Sequence, residues 1–143
     1  MREPTEAELP AIEKLLVDSG LPADDLREQD LSLFRVMATP RGIDAVGGLQ
    51  RCGETALLRS VATSPALRGR GIAGKVIHEL EKLAVRKGLE SLYLLTESAE
   101  AYFESKGYSQ ASRSDVPDAI RASCQFSSLC PDSAKVMRKQ IVV

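Results

Sequence analysis

The chain has 143 residues, and its 19 basic and 20 acidic side chains leave a net charge of −1. That length makes one domain, able to bury roughly 70% of its unfolded surface, and the balanced charge excludes a global field for nucleic acid or an anionic membrane. Tryptophan is absent, no apolar run approaches the ~20 residues of a membrane span, and MREPTEAELP does not read as a signal peptide, so a cytoplasmic protein is expected.

Thr5 and Glu8 have the spacing of a helix start, and Leu9, Ile12, Leu15 and Leu16 predict an apolar stripe running to about Ser19. Gly20 and Pro22 stop it, and Ala23 to Leu31 predicts a short second helix. Ser32 to Ala38 reads as a strand and Thr39-Pro40-Arg41-Gly42 as a turn. Ile43 to Arg51 and Thr55 to Thr63 predict a hairpin closed by Cys52-Gly53-Glu54.

From Ile72 to Lys87 the residues Ile72, Val76, Ile77, Leu80, Leu83 and Ala84 fall at helical spacing, and Gly88 ends the helix. Leu89 to Thr96 follows as a buried strand, expected parallel to the one before the crossover helix. Ala99 to Lys106 predicts a short helix closed by Gly107, and Tyr108 begins an extended piece. A helix from Pro117 to Ala122 and a strand near Val136 to Val142 complete the order. One β–α–β unit among antiparallel strands indicates a single mixed sheet of α/β or α+β class.

The densest signal lies between the second hairpin strand and the long helix, in Ser64-Pro65-Ala66-Leu67-Arg68-Gly69-Arg70-Gly71-Ile72-Ala73-Gly74. A helix N-terminus presents unsatisfied N–H groups and partial positive charge, and glycine lets a ligand reach the main chain. Arg68 and Arg70 add fixed charge. The combination points to a diphosphate cradle.

Arg68-Gly69-Arg70-Gly71-Ile72-Ala73 resembles the (Q/R)-x-x-G-x-(G/A) element of the GNAT superfamily of N-acetyltransferases. The flanks Val61-Ala62-Thr63-Ser64-Pro65 and Ala101-Tyr102-Phe103-Glu104-Ser105-Lys106-Gly107-Tyr108 look like the family's splayed fourth strand and its second cofactor-contacting helix. The family's first strand must be very short or missing, because the first helix begins so near Met1. The wording Ala56 to Val61, Leu92 to Thr96 and Ile120 to Pro131 resembles small members named after arsenic-resistance operons.

The resemblance implies a single GNAT domain over residues 1–143, with a mostly antiparallel sheet, a splayed parallel pair and flanking helices. It implies acetyl-CoA as cosubstrate, a small-molecule amine as acceptor, and a homodimer through the C-terminal strands. Amides of Arg70, Gly71, Ile72, Ala73 and Gly74 would hold the diphosphate, with Gly69 shaping the turn and Arg68 and Arg70 near the phosphates. Main-chain groups of Val61, Ala62 and Thr63 would pair with the pantetheine arm as an added strand. Phe103 would lie against the cofactor.

Two positions depart from the family pattern. Where many members carry a tyrosine acid, four residues before Gly107, this chain has Phe103; where some carry a glutamate base, six before Thr63, it has Leu57. Tyr102 sits about 100° round the helix from Phe103 and is no simple substitute. Ser60, Thr63, Glu97 and Tyr102 remain as proton-relay candidates, and positioning alone supplies much of the rate in such transfers. These departures keep a non-catalytic acyl-CoA-binding or sensory protein open as the alternative.

The remaining polar residues carry less. His78 sits beside the apolar stripe and reads as solvated, and Arg59 either buries its stem on the sheet or binds an acidic acceptor. Cys52, Cys124 and Cys130 lack C-x-x-C spacing, so no metal site is assigned. Cys124 and Cys130 read as free thiols, with trivalent arsenic as the other reading.

Overall fold

The computed structural model describes residues 1–122 and 134–141. Cys124 and Cys130, with the 123–131 part of the arsenic-type tail, lie outside them. The elements are α1 (Leu9–Asp18), β1 (Phe34–Thr39), β2 (Gly42–Cys52), β3 (Thr55–Thr63), α2 (Ile72–Arg86), β4 (Ser91–Thr96), α3 (Glu100–Ser105), β5 (Ser109–Ala111), α4 (Asp118–Arg121) and β6 (Lys135–Gln140). The six strands form one mixed sheet in the order β1-β2-β3-β4-β6-β5. β3 and β4 are parallel over Thr55↔Ser91, Ala56↔Leu92 and Leu57↔Tyr93, as the crossover helix requires. β1–β2, β4–β6 and β5–β6 are antiparallel.

One compact unit comprises Met1–Gln50 with Leu58–Leu83. Its core joins Leu9, Ile12, Leu15 and Leu16 of α1 to Leu26, Phe34, Val36, Val46 and Ala62. The Thr5 N–H donates to the Glu8 carboxylate at 2.9 Å, and Arg2 grips the same carboxylate, so the entry to α1 is fixed by its own sequence. The missing first strand is reduced to a bridge between Arg2 and Val36. The helix expected over Ala23 to Leu31 is absent; Leu26–Glu28 and Leu31–Leu33 form separate 3-10 turns. Asp30 explains the break, because its carboxylate accepts the Ser32 N–H at 3.0 Å and starts a new turn.

Gly47 and Gly48 let helices and rings close on both faces of β2. A Cβ on Gly47 would lie 2.5 Å from Val76 Cγ1 and 2.9 Å from Leu80 Cδ1 of α2. One on Gly48 would lie 2.5 Å from Phe34 Cζ, on the α1 side. Alternation along β2 therefore assigns α2 to one face and the α1 core to the other.

The other unit comprises Arg51–Leu57 with Ala84–Val143. Leu57, Tyr93, Val116, Ile120 and Val136 make its core, with Cys52, Leu95 and Ala111 packed against them. Ile120 brings α4 onto this face of β4 and β6. β6 runs Lys135–Gln140, slightly earlier than Val136 to Val142. No helix among the described residues is long and apolar enough to cross a membrane.

Candidate functional site

β3 is not a regular strand. Ser60, at φ 59°, is the one non-glycine residue among those described with positive φ. Side-chain directions show the same irregularity. Arg59 reaches Asp25 and Gln50 on the α1 face, and Ala62 belongs to the α1 core, although strict alternation would put residues 59 and 62 on opposite faces. Val61 meanwhile lies beside Gly47, Val76 and Leu80 on the α2 face. Ser60 is thus the extra residue of a β-bulge, held at a strain on the order of 1–3 kcal/mol.

Of the two readings open from sequence, burial of the Arg59 stem on the sheet is the one that holds, and its head is paired inside the protein rather than left for an acceptor. Its side chain is 0% exposed and pairs with Asp25, itself 5% exposed. Nη1 donates to Asp25 Oδ2 at 2.7 Å and to Gln50 Oε1 at 3.0 Å, while Nε donates to Ser60 Oγ at 3.2 Å. Sequence reasoning missed Asp25 and Gln50. The polar pair Arg59-Ser60 inside an otherwise apolar run was the one available sign of an irregular strand.

Beyond the bulge β3 is extended again. The Ser64 N–H donates to the Asp44 carbonyl on β2 at 2.8 Å, so alternation turns the main chain of Ala62 toward β2 and that of Val61 and Thr63 away from it. The Thr63 carbonyl is taken by Arg68 Nε at 3.1 Å. Thr63 Oγ1 is buried and, among the described residues, finds no hydrogen-bond partner. Asp44, a buried carboxylate bonded by the Thr39 hydroxyl, is held below the usual carboxylate range; Thr39 is the main cause, with Ser64 and Arg41 adding to it.

The turn leaves β3 through a 3-10 turn, Pro65–Leu67, and enters α2 through two left-handed glycines, Gly69 at φ 80° and Gly71 at φ 73°. The first helical bond runs from the Lys75 N–H to the Gly71 carbonyl at 3.2 Å. The N–H groups of Ile72, Ala73 and Gly74 therefore stand at the start of a 15-residue helix with no acidic residue in its first turn. Arg68, Gly69, Arg70, Gly71 and Lys75 are exposed, and Ile72, Ala73 and Gly74 are half-buried. A Cβ at either Gly69 or Gly71 would meet nothing within 4 Å, so an anionic group can approach this main chain unobstructed. Donors, charge and open space fit a diphosphate.

On α3 the Phe103 ring packs edge-on between Tyr102, centroid 5.4 Å away, and Tyr108, 5.7 Å away. The Lys106 ammonium stands over the Tyr102 ring, 5.5 Å from its centroid. Partial burial raises the Tyr102 phenol, keeping it protonated and able to donate. Glu97 is exposed between β4 and α3, and His78 is exposed on α2. Leu57, at the position of the family's glutamate, is 1% exposed and packs among Tyr93, Val116, Ile120 and Val136.

Residues 34–108, more than half of the chain, match the Acetyltransferase (GNAT) family. The chain belongs to that family. Similar solved structures include the N-acetylglutamate synthase of Neisseria gonorrhoeae in complex with coenzyme A and N-acetyl-glutamate, at TM-score 0.84 and 15% identity, covering 99% of this chain and 35% of the synthase. The chain thus spans about a third of that enzyme's length. Rv2747 from Mycobacterium tuberculosis, in complex with CoA, superposes at TM-score 0.81 and 20% identity over 99% of this chain and 98% of its own. A GNAT-family acetyltransferase from Staphylococcus aureus gives 0.80 and 14%, covering 98% and 97%. At these identities the likeness concerns the fold.

Proposed function

We propose that this chain is an acetyl-CoA-dependent N-acetyltransferase that moves an acetyl group onto the amine of a small molecule by direct attack. The observation that carries the reading is the Arg68 to Gly74 turn, two left-handed glycines open to a ligand at the head of α2. The synthase and Rv2747, both solved with CoA, support the same cosubstrate.

In this reading the amides of Arg70, Gly71, Ile72, Ala73 and Gly74 hold the diphosphate. Arg68 keeps one donor on Thr63 and offers the rest of its guanidinium, beside Arg70, to the phosphates. Val61 and Thr63, whose main-chain groups turn away from β2, serve the pantetheine arm, with Ala62 setting their register and Phe103 lining the cofactor. When bound, acetyl-CoA supplies an acetyl thioester to the acceptor amine. The backbone groups released from the ladder at the Ser60 bulge are the donors that polarise its carbonyl. Proton transfer is left to Ser60, Thr63, Tyr102, Glu97 or water; the Ser60 hydroxyl accepts from Arg59 and keeps its own proton to donate. A cytoplasmic location, a homodimer through the C-terminal strands and a role in arsenic or toxin resistance belong to the same reading; the last rests on the resemblance of wording alone.

Thermal shift with acetyl-CoA is the first test, since ligand at 100 times its dissociation constant adds about 2.7 kcal/mol. No shift at millimolar acetyl-CoA or CoA would sink the assignment. Release of CoA thiol across a panel of amines then tests turnover. Leu57 in the core and Phe103 at the acid position favour a second reading, an acyl-CoA-binding or sensory protein. Binding without turnover on a broad panel would select it.

A further inference from the structure

We propose that Arg59 is a positioning residue of this site: clamped by Asp25 and Gln50, its guanidinium holds Ser60 in the left-handed bulge that sets the direction of the β3 main chain at the acyl end. The inference rests on the acetyl-CoA reading of that site.

Each nitrogen of the Arg59 guanidinium has a partner. Nη1 and Nη2 fork onto the two Asp25 oxygens, Nη1 also reaches Gln50, and Nε donates to the hydroxyl of Ser60. Only a planar fork satisfies these directions together; a lysine ammonium would not. Asp25, 34 residues away in sequence, is itself fixed, because its neighbour Leu26 is 0% exposed in the α1 core. The clamp therefore ties the segment between α1 and β1 to the one strained non-glycine residue described.

Stability alone is a poor account of this arrangement. Removing both charges from water offsets most of their attraction, and apolar residues of similar volume commonly serve as well. What apolar residues would not supply is a hydrogen bond to Ser60 Oγ. Ser60 gains nothing from φ 59° by itself, since an L side chain disfavours that region. Here the polar network and the unfavourable backbone occupy adjacent residues, and the first makes the second persist.

The test is the paired variant Asp25→Asn with Arg59→Met, which removes both charges and strands neither, and the same pair with Ser60→Gly added. Glycine adopts the left-handed region without a clamp, so the third change should restore function if Arg59 works through the bulge. In the folded pair, CoA affinity should stay within about 2-fold while kcat falls roughly 100-fold, the scale of a 1 Å misplacement. The preference for acetyl-CoA over CoA in calorimetry should disappear with it. Ser60→Gly should recover at least a tenth of the lost rate. Carbon chemical shifts of Ser60 Cα and Cβ read the backbone without any ligand, and should move to strand values in the pair. Unchanged kcat with unchanged shifts in the folded pair would overturn the proposal, as would a loss of rate that Ser60→Gly leaves untouched. If the parent chain binds neither CoA nor acetyl-CoA, the site reading fails instead, and the Ser60 shifts alone decide the clamp.

Discussion

Gly71→Ala separates the conformational demand of the glycine turn from its use by a ligand. At φ 73° an L residue costs about 1–2 kcal/mol, while the added Cβ meets no protein atom within 4 Å. Gly88 supplies the control: its φ is 76°, its Cβ would also meet nothing within 4 Å, and it lies just past the other end of α2. Both alanine variants should therefore lose similar stability, roughly 3–10 °C in Tm for a chain of this size. Only Gly71→Ala should weaken CoA, because its methyl enters the space a diphosphate would occupy beside the helix start. Loss of one charge-assisted N–H bond is worth about 1.5–3 kcal/mol, or roughly 10- to 150-fold in Kd. Scanning fluorimetry gives the melting temperatures and calorimetry the affinities. Equal CoA affinity in the two variants would refute the cradle.

Arg2, and then the Thr5 N–H, hold the Glu8 carboxyl down at about 2. A carboxyl lowered on folding stabilises above its unfolded value near 4.3 and loses that contribution as pH falls toward 2, so Glu8→Gln should lower Tm at pH 7 but converge with the parent near pH 2. The pair is partly solvated, so about 1 kcal/mol or less is expected at neutral pH. Phe103→Tyr should change stability by no more than about 0.5 kcal/mol; thiol release kept or raised is the result of a ring that only packs, and a large loss that of a ring lining the cofactor as proposed. Across amines of different basicity, kcat/KM should rise with pH along each acceptor's own titration, whereas an inflection shared by all acceptors would reveal a base on the protein.

Much of the fold was legible because its signals are local. Thr5 and Glu8, the α2 stripe from Ile72 to Ala84, and Gly88 and Gly107 fix their elements within a turn, and the crossover rule makes β4 parallel to β3. The stretch from Ala23 to Leu31 failed for a physical reason. Its composition allows a helix, but Asp30 offers its carboxylate to the next turn, and Asp25 is committed to an arginine 34 residues away. Nothing in a local window reveals such a partner. The glycine turn was legible in type and place, because φ near +75° is a demand the sequence meets with glycine. The bulge was not: Ser60 lies in the same region with its hydroxyl bonded by Arg59, whose own partners Asp25 and Gln50 stand 34 and 9 residues away in the sequence.

Leu57 and Phe103 bear on how catalysis is divided. Leu57 is enclosed by Tyr93, Val116, Ile120 and Val136, so a carboxylate there would be buried among apolar groups and strongly disfavoured in its charged form. That position has been given to the core, and restoring a base to it would cost the packing that now fills it. Phe103 differs, because its half-buried ring already lies between two tyrosines and tolerates a polar edge. In the proposed transfer the burden therefore falls on the main chain: the α2 amides grip one end of the cosubstrate and the strained peptides at Ser60 face the other. A rate obtained that way depends on rigid placement more than on a titrating group. This makes the buried Arg59 network, which in that reading sets the strand at Ser60, more consequential than the vacant acid and base positions.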